Sequence, residues 1–88
     1  YAYLPYCVEQ MKIQSLKAGA SYWDLYDAMG GKNSMFAWVN NGLAGKDYVH
    51  FSHKGASKAS QLFYNALISA YKEWEQDIIP EKKKIDAL

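Results

Sequence analysis

The sequence predicts an α/β fold, because a helix, one strand and two further helices follow one another along 88 residues. Apolar residues recur at helical spacing from about residue 6 to residue 17, and Pro5 suits a first helical turn. Residues 20–25 form a short β-prone run directly after that helix, which is the order of an α-to-β step in a parallel sheet. A long apolar stripe beginning at Ser52 or His53 predicts the last helix, with Ser52 as its N-cap.

Glycine and proline set the expected boundaries of these elements. Gly19 is expected to end the first helix, and Gly30 with Gly31 to end one helical turn at residues 27–29. A short helix is predicted from Ser34 to Asn40. Pro80 is expected to stop the last helix because it has no backbone N–H, so the chain divides into residues 1–79 and a charged tail at residues 80–88.

The single predicted strand implies that something else completes its sheet. A parallel strand hydrogen-bonds to neighbours, and an isolated one leaves its amides and carbonyls unpaired. We therefore expect the partner to be a missing N-terminal part of the same protein or another copy of this chain.

Composition and residue spacing argue against several classes of function. A net charge of +1 does not favour nucleic acid or an anionic membrane as a partner, and no run approaches the length that spans a bilayer. A metal site is not expected, since His50 and His53 have no further ligands at suitable spacing. Gly30-Gly31-Lys32 lacks a full phosphate-binding pattern, so no cofactor is predicted.

An acid and a histidine three residues apart form the candidate catalytic site. Asp47 can place its carboxylate beside Nδ1 of His50 and leave Nε2 free to take a proton from a nucleophile. We call these two residues the acid–histidine pair. His53 competes as the base, but no acid lies three positions before it. Tyr48 or Val49 is expected to pack inward and hold the loop.

The residues around this pair resemble a known family. Asp47-Tyr-Val-His50-Phe-Ser, then Lys54-Gly55 and a helix rich in Leu and Ala, resembles the last conserved block of the SGNH (GDSL-type) hydrolases. The upstream run Tyr22-Trp-Asp-Leu-Tyr-Asp-Ala-Met-Gly-Gly31, with Asn33-Ser34-Met35, Trp38 and Lys46-Asp47, is similar to bacterial carbohydrate and peptidoglycan O-acetylesterases of that family. The resemblance spans about residues 10–75.

The resemblance implies the C-terminal part of a three-layer, flavodoxin-like hydrolase fold: a helix, one parallel strand, a short helix, the catalytic loop and a long helix. It also implies that Asp47 and His50 complete a triad whose serine lies in a missing N-terminal part, because no serine here stands in a Gly-Asp-Ser block. This chain alone is then expected to be inactive. Met35 and Trp38 either line the substrate pocket or belong to the core.

The implied substrate is an acyl ester, first an acetylated sugar or peptidoglycan and second a lipid or thioester acyl group. The family resemblance suggests a periplasmic or secreted protein. The alternative is a non-catalytic helical interaction module, or a fragment that self-associates, whose aromatic surfaces bind a partner chain. In that case His50 is only structural.

Overall fold

The chain is helical. The structure is a computed structural model that describes residues 2–87, with side chains throughout except at residues 80–83. Its helices are α1 (Leu4–Lys17), α2 (Leu25–Met29), α3 (Ser34–Asn40) and α4 (His53–Asp86). Helices account for 68% of the chain, and no strand occurs in the described residues. The prediction of an α/β, flavodoxin-like fold is therefore wrong.

The run predicted as a strand serves as a connector. The hydroxyl of Tyr22 donates a hydrogen bond to the Val8 carbonyl in α1 at 3.3 Å. The Trp23 ring meets Phe63 of α4 edge to face, with centroids 5.2 Å apart. Residues 20–25 have β-prone side chains, but a strand also needs a neighbour to share its hydrogen bonds, and none lies beside it in residues 2–87. The side chains instead link two helices.

Most of the helix ends lie where the residue types predict them. Proline occupies the first turn of α1, and Gly19 follows the helix with a left-handed φ of 82°. Asp24 caps α2, since its Oδ1 accepts a hydrogen bond from the Asp27 amide at 2.9 Å. The predicted bounds of α3 are confirmed.

The long helix α4 begins as predicted and ends later than predicted. Ser52 caps it, because the Ser52 hydroxyl oxygen accepts a hydrogen bond from the Gly55 amide at 3.1 Å. The helix continues past residue 80 to Asp86, so the expected stop at Pro80 is wrong. Proline removes one backbone donor, whereas glutamate and lysine, which follow it in the sequence, are good helix formers.

The core is small and lies where α3 meets the start of α4. Among the described residues Trp38, Leu43 and Ala44 are the buried hydrophobic ones, with Trp38 only 4% exposed. The Trp38 indole N–H donates a hydrogen bond to the Met29 carbonyl at 3.0 Å, which ties α3 to the end of α2. Its ring packs on Phe51, with centroids 5.2 Å apart. Further partly buried side chains surround it: Met35, Val39, Ala59 and Leu62.

The molecule is elongated. Its principal extents are 61 × 28 × 15 Å and its radius of gyration is 17.8 Å, whereas a compact domain of this length has about 12 Å. The middle and later turns of α4 carry an apolar face that we call the α4 stripe. Its residues are spaced alternately by three and four and are 38% to 57% exposed: Tyr64, Leu67, Tyr71, Trp74 and Ile78. Within residues 2–87, no helix is both apolar enough and long enough to cross a membrane.

Candidate functional site

The loop that carries the acid–histidine pair is closed at its base like a hairpin. Ala44 and Phe51 form an antiparallel bridge. The Gly45 amide donates a hydrogen bond to the His50 carbonyl at 2.8 Å, and the Ser52 amide donates to the Leu43 carbonyl at 3.0 Å. Residues 45–50, which we call the catalytic loop after the predicted role of the acid–histidine pair, therefore project from a backbone frame that adjoins the core.

The frame is fastened to the start of α4 by Ser52 and Gly55. The Ser52 hydroxyl donates a hydrogen bond to the Gly42 carbonyl at 2.7 Å while it accepts the Gly55 amide. Gly55 is buried, and its Cα lies so close to the Leu43 carbonyl that an added Cβ would overlap the oxygen. Only glycine, which has no Cβ, permits this approach. The backbone at Leu43 therefore packs directly on the first turn of α4.

Asp47 uses both carboxylate oxygens within the loop. Oδ2 accepts a hydrogen bond from Nδ1–H of His50 at 2.7 Å. Oδ1 accepts the backbone amides of Val49 at 3.0 Å and His50 at 3.1 Å. The His50 side-chain bond, and then the two amides, lower the pKa of Asp47 from 3.8 to about 2. Asp47 is thus a stable carboxylate that fixes the imidazole.

His50 presents its other nitrogen to solvent. Its side chain is 82% exposed, against 52% for Asp47, and no group in the described part of the chain hydrogen-bonds Nε2. With Nδ1 protonated and bound to Asp47, Nε2 carries the lone pair that can accept a proton. The structure thus brings the acid–histidine pair together as its spacing predicts, while the catalytic role stays a prediction. His53 is exposed at the first position of α4.

The two residues expected near the substrate lie in different places. An open groove of about 550 Å³ runs between the first turn of α1, the α2–α3 connection and the catalytic loop, and Met35 lines it. Trp38 lies in the core beneath it. A substrate-lining role stays a prediction for both residues, and the walls of the groove that Met35 lines include Tyr48 and Val49 but neither Asp47 nor His50. The remaining walls are largely apolar and include Leu25, Phe36, Val49 and Phe51.

Sequence reasoning missed how much the backbone contributes to this site. It expected Tyr48 or Val49 to pack inward, whereas both are exposed, by 42% and 49%, and it did not foresee that Tyr48 adopts a left-handed φ of 59°. Gly55 entered the sequence analysis only as part of the resembling block, whereas in the structure it touches the loop frame directly. Tyrosine gives no sequence signal for a left-handed backbone, since asparagine, aspartate and glycine are the usual residues there.

The acid–histidine pair has no nucleophile beside it in the described residues. No hydroxyl in the described residues is hydrogen-bonded to His50, and Ser52, the nearest serine in sequence, is engaged with Gly42 and Gly55. Across the described residues, no three His, Cys, Asp or Glu side chains cluster closely enough to hold a metal ion. The arrangement can orient a base and accept a proton at Nε2.

No protein-family model, curated protein or solved structure matches the chain. The resemblance to the SGNH hydrolases therefore stays a prediction from residue blocks, and the functional proposal depends on the geometry of the acid–histidine pair.

Proposed function

We propose that this chain supplies the acid and the base of a serine ester hydrolase. The observation that supports the proposal is the 2.7 Å hydrogen bond from His50 Nδ1 to Asp47, with the imidazole otherwise open to solvent. A carboxylate at Nδ1 fixes the tautomer in which Nε2 is the base, and it stabilises the imidazolium that forms when Nε2 takes a proton. Under this proposal the nucleophilic serine belongs to a part of the protein outside this chain.

In the proposed reaction, Nε2 of His50 removes the proton from the serine hydroxyl as its oxygen attacks the ester carbonyl. The imidazolium then gives that proton to the leaving alkoxide oxygen as the ester C–O bond breaks, leaving an acyl-enzyme. Water, deprotonated by the same nitrogen, attacks the acyl carbon. The bond between the acyl carbon and the serine oxygen then breaks, and the imidazolium returns the proton to that oxygen, which releases the acid and the free serine. Asp47 stays ionised throughout and orients His50.

The proposed substrate is an O-acetyl ester on a carbohydrate or on peptidoglycan, with a lipid or thioester acyl group as the second choice. The residue blocks from Tyr22 to Asp47 favour the acetylesterase branch. The groove beside the catalytic loop, with Met35 on its wall, offers an apolar surface on which an acyl group or the face of a sugar ring could pack.

A second candidate function is a helical interaction module, and the α4 stripe favours it. Leu67, Tyr71 and Trp74 are each more than half exposed, although large apolar side chains at helical spacing normally pack against something. Under this alternative the stripe binds a partner chain or another copy, and the acid–histidine pair only stabilises its loop.

The deciding experiment substitutes His50→Ala in a protein that contains both this chain and the nucleophile, with hydrolysis of p-nitrophenyl acetate as the readout. Loss of a triad base should lower kcat by about a thousandfold or more. Because His50 is exposed, circular dichroism should show an unchanged fold, while the thermal unfolding midpoint should fall only by the loss of the hydrogen bond between His50 and Asp47.

The matched control is His53→Ala, which removes the other exposed histidine of the chain three residues away and should leave kcat within about twofold, as expected of a group outside the chemistry. Turnover retained in the His50→Ala protein would rule out the proposed role and favour the interaction module. If kcat fell in the His53→Ala protein and not in the His50→Ala protein, the base would be His53.

A further inference from the structure

The residue between the acid and the base has an unusual backbone. Tyr48 has a φ of 59°, in the left-handed region that tyrosine rarely occupies. Its amide donates a hydrogen bond to the Gly45 carbonyl at 3.0 Å, which closes a tight turn over Lys46 and Asp47. Tyr48 thus ends this turn, directly after the acid, and its left-handed backbone sets the direction in which the chain leaves the turn.

This reversal aims two amides at one oxygen. The amides of Val49 and His50, which follow the turn, both point at Oδ1 of Asp47, at 3.0 and 3.1 Å. If Tyr48 adopted an ordinary extended backbone, these amides would swing away from the carboxylate. Because the two amides fix the carboxylate, the hydrogen bond between Oδ2 of Asp47 and the His50 imidazole depends on the left-handed backbone of Tyr48. Other contacts must stabilise that strained conformation.

The Tyr48 side chain makes a contact that can stabilise this conformation. Its ring meets the ring of Phe36 edge to face, with centroids 5.5 Å apart and planes at 64°. Phe36 belongs to α3, and α3 is fixed to the core through Trp38. The ring contact is thus an attachment of the tip of the catalytic loop to the helical body, separate from the frame at the loop's base.

We propose that Tyr48 is a positioning residue for the acid–histidine pair: its left-handed backbone turns the Val49 and His50 amides onto Asp47, and its ring contact with Phe36 holds that turn. The inference deepens the proposed function, since orienting His50 affects catalysis only if His50 is the base. Tyr48 acts through Asp47 and is not itself a catalytic residue.

The test uses the 88-residue chain and measures the pKa of Asp47 from its side-chain carbon resonance, with the Nδ1–H signal of His50 beside it. Tyr48→Asn removes the ring but keeps a residue that tolerates a left-handed φ. It should raise the pKa of Asp47 from about 2 toward 3.8 and weaken the Nδ1–H signal. Phe36→Leu should do the same with Tyr48 in place, whereas Tyr48→Phe should restore the wild-type values.

The matched control is Val49→Ala, which trims the neighbouring side chain and keeps the amide that Asp47 accepts, so the pKa of Asp47 should not move. Amide spectra of each variant establish that it is folded. A wild-type pKa of Asp47 in both Tyr48→Asn and Phe36→Leu would overturn the inference, as would a Tyr48→Phe variant that behaves like Tyr48→Asn. These readouts need no turnover, so they are independent of whether His50→Ala abolishes hydrolysis.

Discussion

At the scale of single residues, the site depends on how one carboxylate distributes three hydrogen bonds. Asp47 gives one oxygen to the imidazole and the other to two backbone amides. The amides fix the carboxylate, and the carboxylate fixes the ring, so His50 is oriented although its side chain is 82% exposed. An exposed histidine without this support would sample several rotamers and present Nε2 in no fixed direction.

The lowered pKa of Asp47 predicts how the pair responds to acid. A carboxyl group whose folded-state pKa is about 2, against an ordinary 3.8, contributes stability that is fully present above pH 3.8 and is lost as the pH falls through about 2. Asp47→Ala should therefore lower the thermal unfolding midpoint at pH 6 but not below pH 2. Scanning calorimetry at several pH values measures this difference.

The control for the acid series is Lys46→Ala, which changes the neighbouring loop residue and removes no carboxyl group. Its effect on the unfolding midpoint should be the same at both ends of the pH range. An Asp47→Ala difference of equal size at pH 6 and below pH 2 would show that the carboxylate does not stabilise the loop through its charge.

At the scale of elements, the sequence predicted what local residue types determine and failed where a distant partner determines the outcome. The bounds of α3 and the Ser52 cap follow from capping residues and apolar spacing, so both were predictable. The closeness of Asp47 to His50 is likewise set by a spacing of three. The run at residues 20–25 reads as a strand by composition, but strand pairing depends on a neighbour that no local pattern supplies.

At the junction between the catalytic loop and α4, replacing a helical glycine by alanine is expected to lower the free energy of unfolding, which is the opposite of the usual effect. Replacing a glycine inside a helix by alanine normally stabilises a protein by about 0.5–1 kcal/mol. At Gly55 the new Cβ would overlap the Leu43 carbonyl oxygen, so Gly55→Ala should instead destabilise the chain by about 1–3 kcal/mol. Urea unfolding followed by circular dichroism gives the free energy of unfolding.

Ser57→Ala is the matched control, since Ser57 is exposed two residues further along the same helix. It should be neutral or slightly stabilising, because alanine has the higher helix propensity. A Gly55→Ala protein as stable as the wild type would mean that the loop and the helix can separate without cost.

At the scale of the whole molecule, the helices cover less of one another's apolar surface than the helices of a compact domain do. Three hydrophobic side chains are buried in the described residues, and the radius of gyration of 17.8 Å exceeds the compact value. The elongated shape could not be predicted from composition, because a hydrophobic content of 50% is compatible with a compact domain. The apolar residues are present, but much of their surface faces outward.

This exposure predicts that the 88-residue chain associates through the α4 stripe. Leu67→Lys places a charge within the stripe and should shift sedimentation-velocity profiles toward the monomer, because a charged side chain is costly to bury in an apolar contact. Asn65→Lys adds the same charge to α4 at a position off the stripe and should leave association unchanged. Equal profiles for the two variants would exclude the stripe as the contact surface.

The bridge between Ala44 and Phe51 closes a short loop that contains both the acid and the base. Their alignment is therefore set by contacts within this loop. The carboxylate, the imidazole and the amides that orient them all lie within residues 47–50, so bringing them together closes only a very short loop and costs little chain entropy. The pair can therefore assemble before any nucleophile docks beside it. Under the proposed function, the two halves of the reaction machinery are separable parts, and a serine supplied by a different polypeptide would meet a base that is already oriented.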